Sequence, residues 1–183
     1  MSPAAIFLDR DGTINIEKNY LYRLKDWEWL PGAIEAILRI NNLGYLAIVV
    51  TNQAGVARGY YSERDILFLH HQIDQMLAKA GAKIDAYYHC PHHPEFGKFR
   101  NCSCRKPQPG MLFNAQRDFD IDLSRSWLIG DKLSDIEAAS GAGCSSILVM
   151  TGYGEQEKKV APANVLCKQD ILDAIKHIEE LRH

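Results

Sequence analysis

Short apolar runs and amphipathic segments alternate along the whole chain. Ala4 to Leu8 is apolar throughout, too short for a helix, and stops at Asp9, which predicts a buried strand. Pro31 to Asn42 sets Ala33, Ile34, Ile37 and Leu38 on one helical face, with Pro31 near its start and Gly44 just beyond its end. Tyr45 to Val50 predicts a second buried strand, ending at Thr51. Ser62, with Asp65 three residues on, opens a long helix whose stripe of Ile66, Leu69, Ile73, Met76, Leu77 and Ala80 runs to Gly81. Ile84 to His89 predicts a third strand, Met111 to Phe119 a helix, and Trp127 to Ile129 a short strand running into Gly130-Asp131. Ser134 and Glu137 predict a capping box for a helix ending near Gly141. Ser146 to Met150 follows as a strand, and Asp170 to Leu181 as a closing helix.

Five strands alternating with helices imply an α/β fold built on a doubly wound, Rossmann-like parallel sheet, because parallel neighbours need crossovers and helices supply them. Ligands of such sheets bind outside the carboxyl ends of the strands. Asp9, Thr51 and Asp131, which end three of the apolar runs, are therefore expected to meet at one edge. With 183 residues and no internal repeat, one domain over residues 1–183 is expected. Only the stretch from Cys90 to Gly110 exceeds the usual loop length, so it is either functional or stapled by a metal.

Composition narrows the function classes. With 46% hydrophobic and 24% charged residues the chain reads as an ordinary soluble globular protein. A net charge of -2 argues against a nucleic-acid footprint, so any anionic ligand must be met by local cations. No apolar run approaches the roughly 18 residues needed to cross a bilayer. The first residues run straight into the first strand without a charged leader, so a cytoplasmic protein, expected to be a monomer, is the simplest reading. Five cysteines cannot all pair within the chain, and Cys90, Cys102 and Cys104 are clustered, which favours a metal over disulfides.

The chemistry centres on Asp9-Arg10-Asp11-Gly12-Thr13. A two-residue period aims Asp9 and Asp11 the same way and Arg10 away, and Gly12 lets the chain turn. Two carboxylates this close require a cation or a shared proton, and Mg2+ with a phosphate is the natural partner. Taken alone, the segment is also an ordinary Asp-Gly turn.

Its companions change that balance. Asp9-x-Asp11-Gly12-Thr13, Thr51-Asn52-Gln53, Lys106 before a helix, and Gly130-Asp131-Lys132-x-x-Asp135 resemble, in order, the four motifs of the haloacid dehalogenase-like phosphatase superfamily. The resemblance spans residues 4 to about 151 and implies a phosphatase core of this fold. It implies that Asp9 attacks phosphorus to form an aspartyl-phosphate. Asp11 then protonates the leaving oxygen and later deprotonates the attacking water. Thr51 and Lys106 hold the phosphoryl oxygens, and Mg2+ lies between Asp9, the Asp11 main-chain carbonyl and Asp131. Lys132 is expected to pair with acidic groups and Asp135 to order its loop. The stretch between Asp9 and Thr51 is too short for a large cap, so short loops must shield the site and choose the substrate.

Cys90-x-His92 and Cys102-x-Cys104 offer three thiolates and an imidazole, a soft set matched to tetrahedral Zn2+, with His93 open beside His92 on spacing alone. Four protein ligands leave no open position, so a zinc-binding loop over residues 90–104 would be structural. It would also fix Arg105 and Lys106, the cations that follow. Cys144 and Cys167 read as ordinary thiols.

The zinc loop, Arg105-Lys106-Pro107, Gly110-Met111 and Thr51-Asn52-Gln53-Ala54-Gly55-Val56-Ala57-Arg58-Gly59 are similar to the D-glycero-D-manno-heptose 1,7-bisphosphate 7-phosphatase family. That resemblance implies removal of the 7-phosphate of a bisphosphorylated heptose, on the way to nucleotide-activated heptose for lipopolysaccharide or other glycans. It puts His92 among the zinc ligands, and Glu17, Lys18, Asn19, Tyr20, Asn52, Gln53, Ala54 and Arg105 around the sugar and distal phosphate. Asn19 stands where the family commonly has glycine. The histidinol-phosphate phosphatase family shares the zinc loop, but usually carries an acidic residue after Asn-Gln. Two other classes compete. A phosphoacceptor signalling domain also clusters aspartates at strand ends, but has no need of a second carboxylate placed as a general acid. A zinc-dependent nucleic-acid module conflicts with the near-neutral charge and the lack of an aromatic-basic stripe.

Overall fold

The computed structural model describes residues 2–182. The chain alternates β1 (Ala5–Leu8), α1 (Ala33–Asn42), β2 (Leu46–Asn52), α2 (Glu63–Lys79), β3 (Ala86–Cys90), α3 (Gly110–Phe119), β4 (Trp127–Gly130), α4 (Leu133–Ala142), β5 (Ser145–Val149), α5 (Gly154–Glu157), β6 (Cys167–Lys168) and α6 (Ile171–Glu180). All strand pairs are parallel, in the order β3-β2-β1-β4-β5-β6. Phe7 of β1 lies level with Ile48 of β2 on one side and Leu128 of β4 on the other.

The doubly wound expectation holds, and the reason is visible in the packing. Ile6, Leu8, Ala47, Val49 and Ile129 point into one core, with Ile37 of α1, Leu69 and Ile73 of α2, and Ile175 of α6. Their sequence neighbours Ala5, Phe7, Ile48, Val50 and Leu128 point into a second core, with Met111 and Leu112 of α3 and Ala138 and Ala139 of α4. Both faces of the central strands are covered, which is why these runs are continuously apolar rather than alternating. The order reverses at β1, so the crevice opens at the carboxyl ends of β1 and β4, directly at Asp9 and Asp131.

Boundaries follow the local chemistry. Ser62 caps α2, its Oγ accepting from the Asp65 amide at 3.3 Å while Asp65 Oδ2 accepts from the Ser62 amide at 2.8 Å. The capping box expected from Ser134 and Glu137 is not present. Lys132 is the extended cap residue of α4 and its amide donates to Asp135 Oδ2 at 3.1 Å, so the helix start is held two residues earlier by half of a box, the ammonium of Lys132 having no lone pair to complete it. The helix then runs past Gly141 to Ala142 and ends at Gly143. The hydrophobic pattern predicts neither the sixth strand nor the single turn of α5. β6 is two residues long and follows Pro162, so its register comes from β5 rather than from its own pattern. Between Cys90 and Gly110 there is no helix or strand. Among the described residues no helix is long and apolar enough to cross a membrane.

Candidate active site and metal centre

The carboxyl edge gathers the residues that end the strands. A cavity of about 290 Å³ is lined by Asp9, Asp11, Glu17, Thr51, Asn52, Arg105, Lys106, Lys132, Ser134 and Asp135. A second, of about 180 Å³, shares Asp11, Glu17, Asn52 and Lys132 with it and adds Asn19, Tyr20, Gln53, Ala54, Tyr61 and Tyr153. Of the residues expected around the substrate, only Lys18 lines neither; its ammonium pairs with Glu28 at 2.9 Å. A larger concavity of about 540 Å³ adjoins Arg105 and the segment Arg100 to Cys102.

Lys106 is the electrostatic centre. It is buried, and its Nζ lies 2.8 Å from Asp9, 2.6 Å from Asp135 and 2.8 Å from the Val50 carbonyl. Burial works against its charge, but Asp135 and Asp9 more than compensate and hold its pKa above the ordinary lysine range. Asp9 is the mirror case, where burial is outweighed by Lys106 and Lys132 and the carboxylate stays ionised. Asn52 fixes the Lys106 backbone from both sides, donating to its carbonyl at 3.0 Å and accepting from its amide at 3.0 Å. Lys132 reaches Glu17 at 3.7 Å and lies over the Tyr153 ring at 4.5 Å.

Gln53 is nearly buried and acts on its neighbours. Its amide donates to Asp11 Oδ2 at 3.0 Å and Thr51 Oγ1 at 2.9 Å, while its carbonyl oxygen accepts from Tyr61 at 2.7 Å. Arg10 does not point away from the pair, as the strand period implied. β1 ends at Leu8, and the next residues turn, with the Ile14 amide donating to the Arg10 carbonyl at 2.9 Å. Period-two alternation no longer applies there, and the guanidinium folds back to within 2.8 Å of Asp11. Asn19 and Tyr20 both adopt left-handed backbone, at φ 48° and 56°, a region that glycine enters freely and asparagine tolerates.

Asp131 is fully buried. Its Oδ2 accepts from the Tyr153 amide at 2.8 Å, but its Oδ1 has no hydrogen-bond partner among the described residues. Ligating oxygens of Asp9, Asp131 and Asp135 lie within 4.8 Å of one another. Burial and the charge of Asp9 push the Asp131 pKa up to about 8. An orphaned carboxylate oxygen beside an ionised carboxylate is the arrangement a hard cation resolves, so the residues fit Mg2+. Gly12 and Gly152 close over it, and a Cβ on either would overlap the Asp131 carboxylate.

In the loop, Cys90 Sγ lies 3.6 Å from Cys102 Sγ, 3.2 Å from Cys104 Sγ and 3.8 Å from His92 Nδ1, and Cys104 Sγ lies 3.4 Å from His92 Nδ1. Ligands about 2.3 Å from a tetrahedral zinc stand about 3.7 Å apart, so the set fits that ion. His93 is outside the cluster, with Nε2 3.2 Å from Arg58 and Nδ1 accepting from the Glu95 amide at 3.0 Å.

Arg10, Asn15, Tyr61 and Tyr153 are the site residues that sequence reading missed. The one available signal was the position of Arg10 between two acids; the others arrive from turns and a loop with no motif of their own.

A HAD-hydrolase-like family model matches residues 103–174. The fold is that of "D,D-heptose 1,7-bisphosphate phosphatase" from B. bronchiseptica, solved with magnesium and phosphate, at a TM-score of 0.88 and 33% identity, covering 97% of this chain and 99% of that one. The chain is a haloacid dehalogenase-like hydrolase. Among curated proteins it is 42% identical over 182 residues to the D-glycero-beta-D-manno-heptose-1,7-bisphosphate 7-phosphatase of Photorhabdus laumondii, covering 96% of this chain and 97% of the relative. It is 48% identical over 153 residues to the D-glycero-alpha-D-manno-heptose-1,7-bisphosphate 7-phosphatase of Burkholderia mallei, covering 82% of this chain and 81% of the relative. The chain belongs to the D-glycero-D-manno-heptose 1,7-bisphosphate 7-phosphatase family.

Proposed function

We propose that this protein, acting as a single domain, hydrolyses the 7-phosphate of D-glycero-D-manno-heptose 1,7-bisphosphate with Mg2+, in the supply of nucleotide-activated heptose. The observation that carries the reading is the buried Asp9–Lys106–Asp135 array at the switch point, beside Asp11 and Thr51, in a chain of this family. Asp9, held ionised, attacks phosphorus. Asp11 delivers a proton to the leaving sugar oxygen and later takes one from the water that hydrolyses the aspartyl-phosphate. Thr51 and Lys106 hold the phosphoryl oxygens in place as charge shifts between them. Asp9, Asp131 and the Asp11 main-chain carbonyl would hold Mg2+, which neutralises phosphoryl charge when bound.

Cys90, His92, Cys102 and Cys104 would hold a structural Zn2+ that orders the loop leading into Arg105 and Lys106. Glu17, Lys18, Asn19, Tyr20, Asn52, Gln53, Ala54 and Arg105 form the proposed sugar and distal-phosphate surround. Asn52 and Gln53 serve it partly by fixing Lys106 and Asp11. The test is kcat/KM with Mg2+ on both anomers of heptose 1,7-bisphosphate, on histidinol phosphate and on simple sugar phosphates. Heptose bisphosphate should lead by about 10²-fold or more, since polar groups built for its hydroxyls are left unpaired by the others. A lead for histidinol phosphate would overturn the substrate, and a long-lived phosphoprotein without phosphate release would overturn the enzyme.

A further inference from the structure

Arg10 is the largest fully buried side chain among the described residues, and it is charged. A guanidinium taken wholly out of water is costly unless its partners compensate, so those partners indicate what it is for. Its Nη2 lies 2.8 Å from Asp11 Oδ2 and donates at 2.8 Å to the carbonyl of Leu21, and its Nε donates to the same Asp11 oxygen at 3.1 Å. Its Nη1 lies 3.4 Å from Nε2 of His70 on α2. That ring stacks on Tyr87 of β3 at 4.2 Å, and the Tyr87 hydroxyl donates to Asp74 of α2 at 2.7 Å. The guanidinium is thus anchored on the α2 side and bonded to Asp11 and Leu21 on the other.

The two oxygens of Asp11 are used unequally. Oδ2 receives Arg10 twice and the Gln53 amide at 3.0 Å, whereas Oδ1 receives only the Asn15 amide at 3.0 Å. One oxygen is saturated, and the other keeps a free lone pair in the residue that lines both site cavities. The Leu21 carbonyl that shares Nη2 follows directly on Asn19 and Tyr20, the left-handed pair lining the second cavity.

We propose that Arg10 is the positioning residue for proton transfer. It pins Asp11 by Oδ2 so that Oδ1 is the oxygen that carries the proton, and through Leu21 it ties that orientation to the loop bearing Asn19 and Tyr20. This rests on the proposed role of Asp11. As the P–O bond to the leaving oxygen breaks, its electron pair stays on that oxygen and the proton passes to it from Asp11 Oδ1. Arg10 makes and breaks no bond. A lysine has one ammonium in place of the planar fork and cannot bond Asp11 twice while holding Leu21.

The experiment compares kcat/KM on a sugar phosphate, whose alkoxide must be protonated as it leaves, with that on p-nitrophenyl phosphate, whose phenolate leaves unaided, for wild type, R10Q, R10K and D11N. R10Q should lose about 10²-fold more on the sugar phosphate than on the aryl phosphate, as expected when a general acid is displaced by a fraction of its proper geometry. D11N should show the same split, at least as large, and R10K a smaller one. Equal losses of R10Q on both substrates, with the split intact in D11N, would overturn the role of Arg10 and leave that of Asp11. No split in D11N would overturn the reading of Asp11 itself. Thermal melting and zinc content establish that the variants are folded. If neither Arg10 variant folds, the Arg10 Nε–H resonance of wild type and D11N decides: a clear shift supports the pairing, and an unmoved signal overturns it.

Discussion

The switch-point site and the Cys/His loop hold their chemistry by opposite means. Around Asp9, at the edge of a continuous sheet, protein partners hold most of the charge: Lys106 is wedged between Asp9 and Asp135, and Asn52 grips its backbone from both sides, while Asp131 keeps one oxygen without a partner among the described residues. Between Cys90 and Gly110 there is no ladder and no helix; three thiols and an imidazole are drawn within reach of one another, beside isolated bonds such as that from the Gly110 amide to the Ser103 carbonyl at 2.9 Å. The first region is ordered by burial and hydrogen bonds, and the second offers a donor set that a bound metal would tie together. They join at Arg105-Lys106, so the weaker scaffold delivers a side chain to the stronger one.

The largest effect expected on either side comes from Asp9→Asn. Turnover should fall by at least about 10⁴-fold, as loss of a covalent nucleophile does, while far-UV circular dichroism and zinc content stay unchanged. Retained turnover would remove Asp9 from the role of nucleophile. Next comes Cys102→Ser, which attacks the other region. Zinc content should drop, proteolysis between Pro94 and Asn101 should accelerate, and kcat should fall about 10²-fold through misplacement of Lys106. Unchanged zinc would discard the metal site, and full activity without zinc would separate the two regions.

Gly152→Ala forces a methyl group into the Asp131 carboxylate at φ 55° and should weaken Mg2+ binding about 10-fold or more without touching zinc. Isothermal titration with each metal distinguishes the two.

The same carboxylate sets a pH dependence. Asp131 keeps its proton in the metal-free fold up to about pH 8, while the unfolded chain loses it near pH 3.8. Over that window the native state binds more protons, so this group's contribution to stability falls as pH rises. Bound Mg2+ displaces the proton and removes the penalty. Mg2+ affinity should therefore climb with pH until about 8, and titrations in buffers of different ionisation enthalpy should report proton release on binding; release of no proton would contradict the shift.

The smallest effect sharpens the loop. His93→Ala should leave zinc stoichiometry unaltered, because that imidazole is bonded to Arg58 and the Glu95 amide rather than to the thiols.

Much of this was legible beforehand, for identifiable reasons. The strands of the central sheet are covered on both faces, so their apolar runs are unbroken and ended by the functional residues themselves. α2 announces its start with Ser62 and Asp65, whose bonds are local. β6 was invisible because a two-residue edge strand takes its pairing from β5. The start of α4 departs from the Ser134–Glu137 pattern because Asp135 reaches back to the Lys132 amide, which fixes the cap two residues earlier.

Residue type and short spacing were enough for five of the six strands, for the meeting of Asp9, Thr51 and Asp131 at one edge and for the donor set of the loop, while Lys106 joined that group through the resemblance to the phosphatase motifs. Three-dimensional packing was needed to turn Arg10 inward onto Asp11, to set Gln53 and Asn52 against Asp11, Thr51 and Lys106 as well as along the cavity wall, and to face His92 rather than His93 to the thiols. Those choices depend on which distant groups complete each hydrogen bond or ion pair once water is excluded, and chain order carries no record of that.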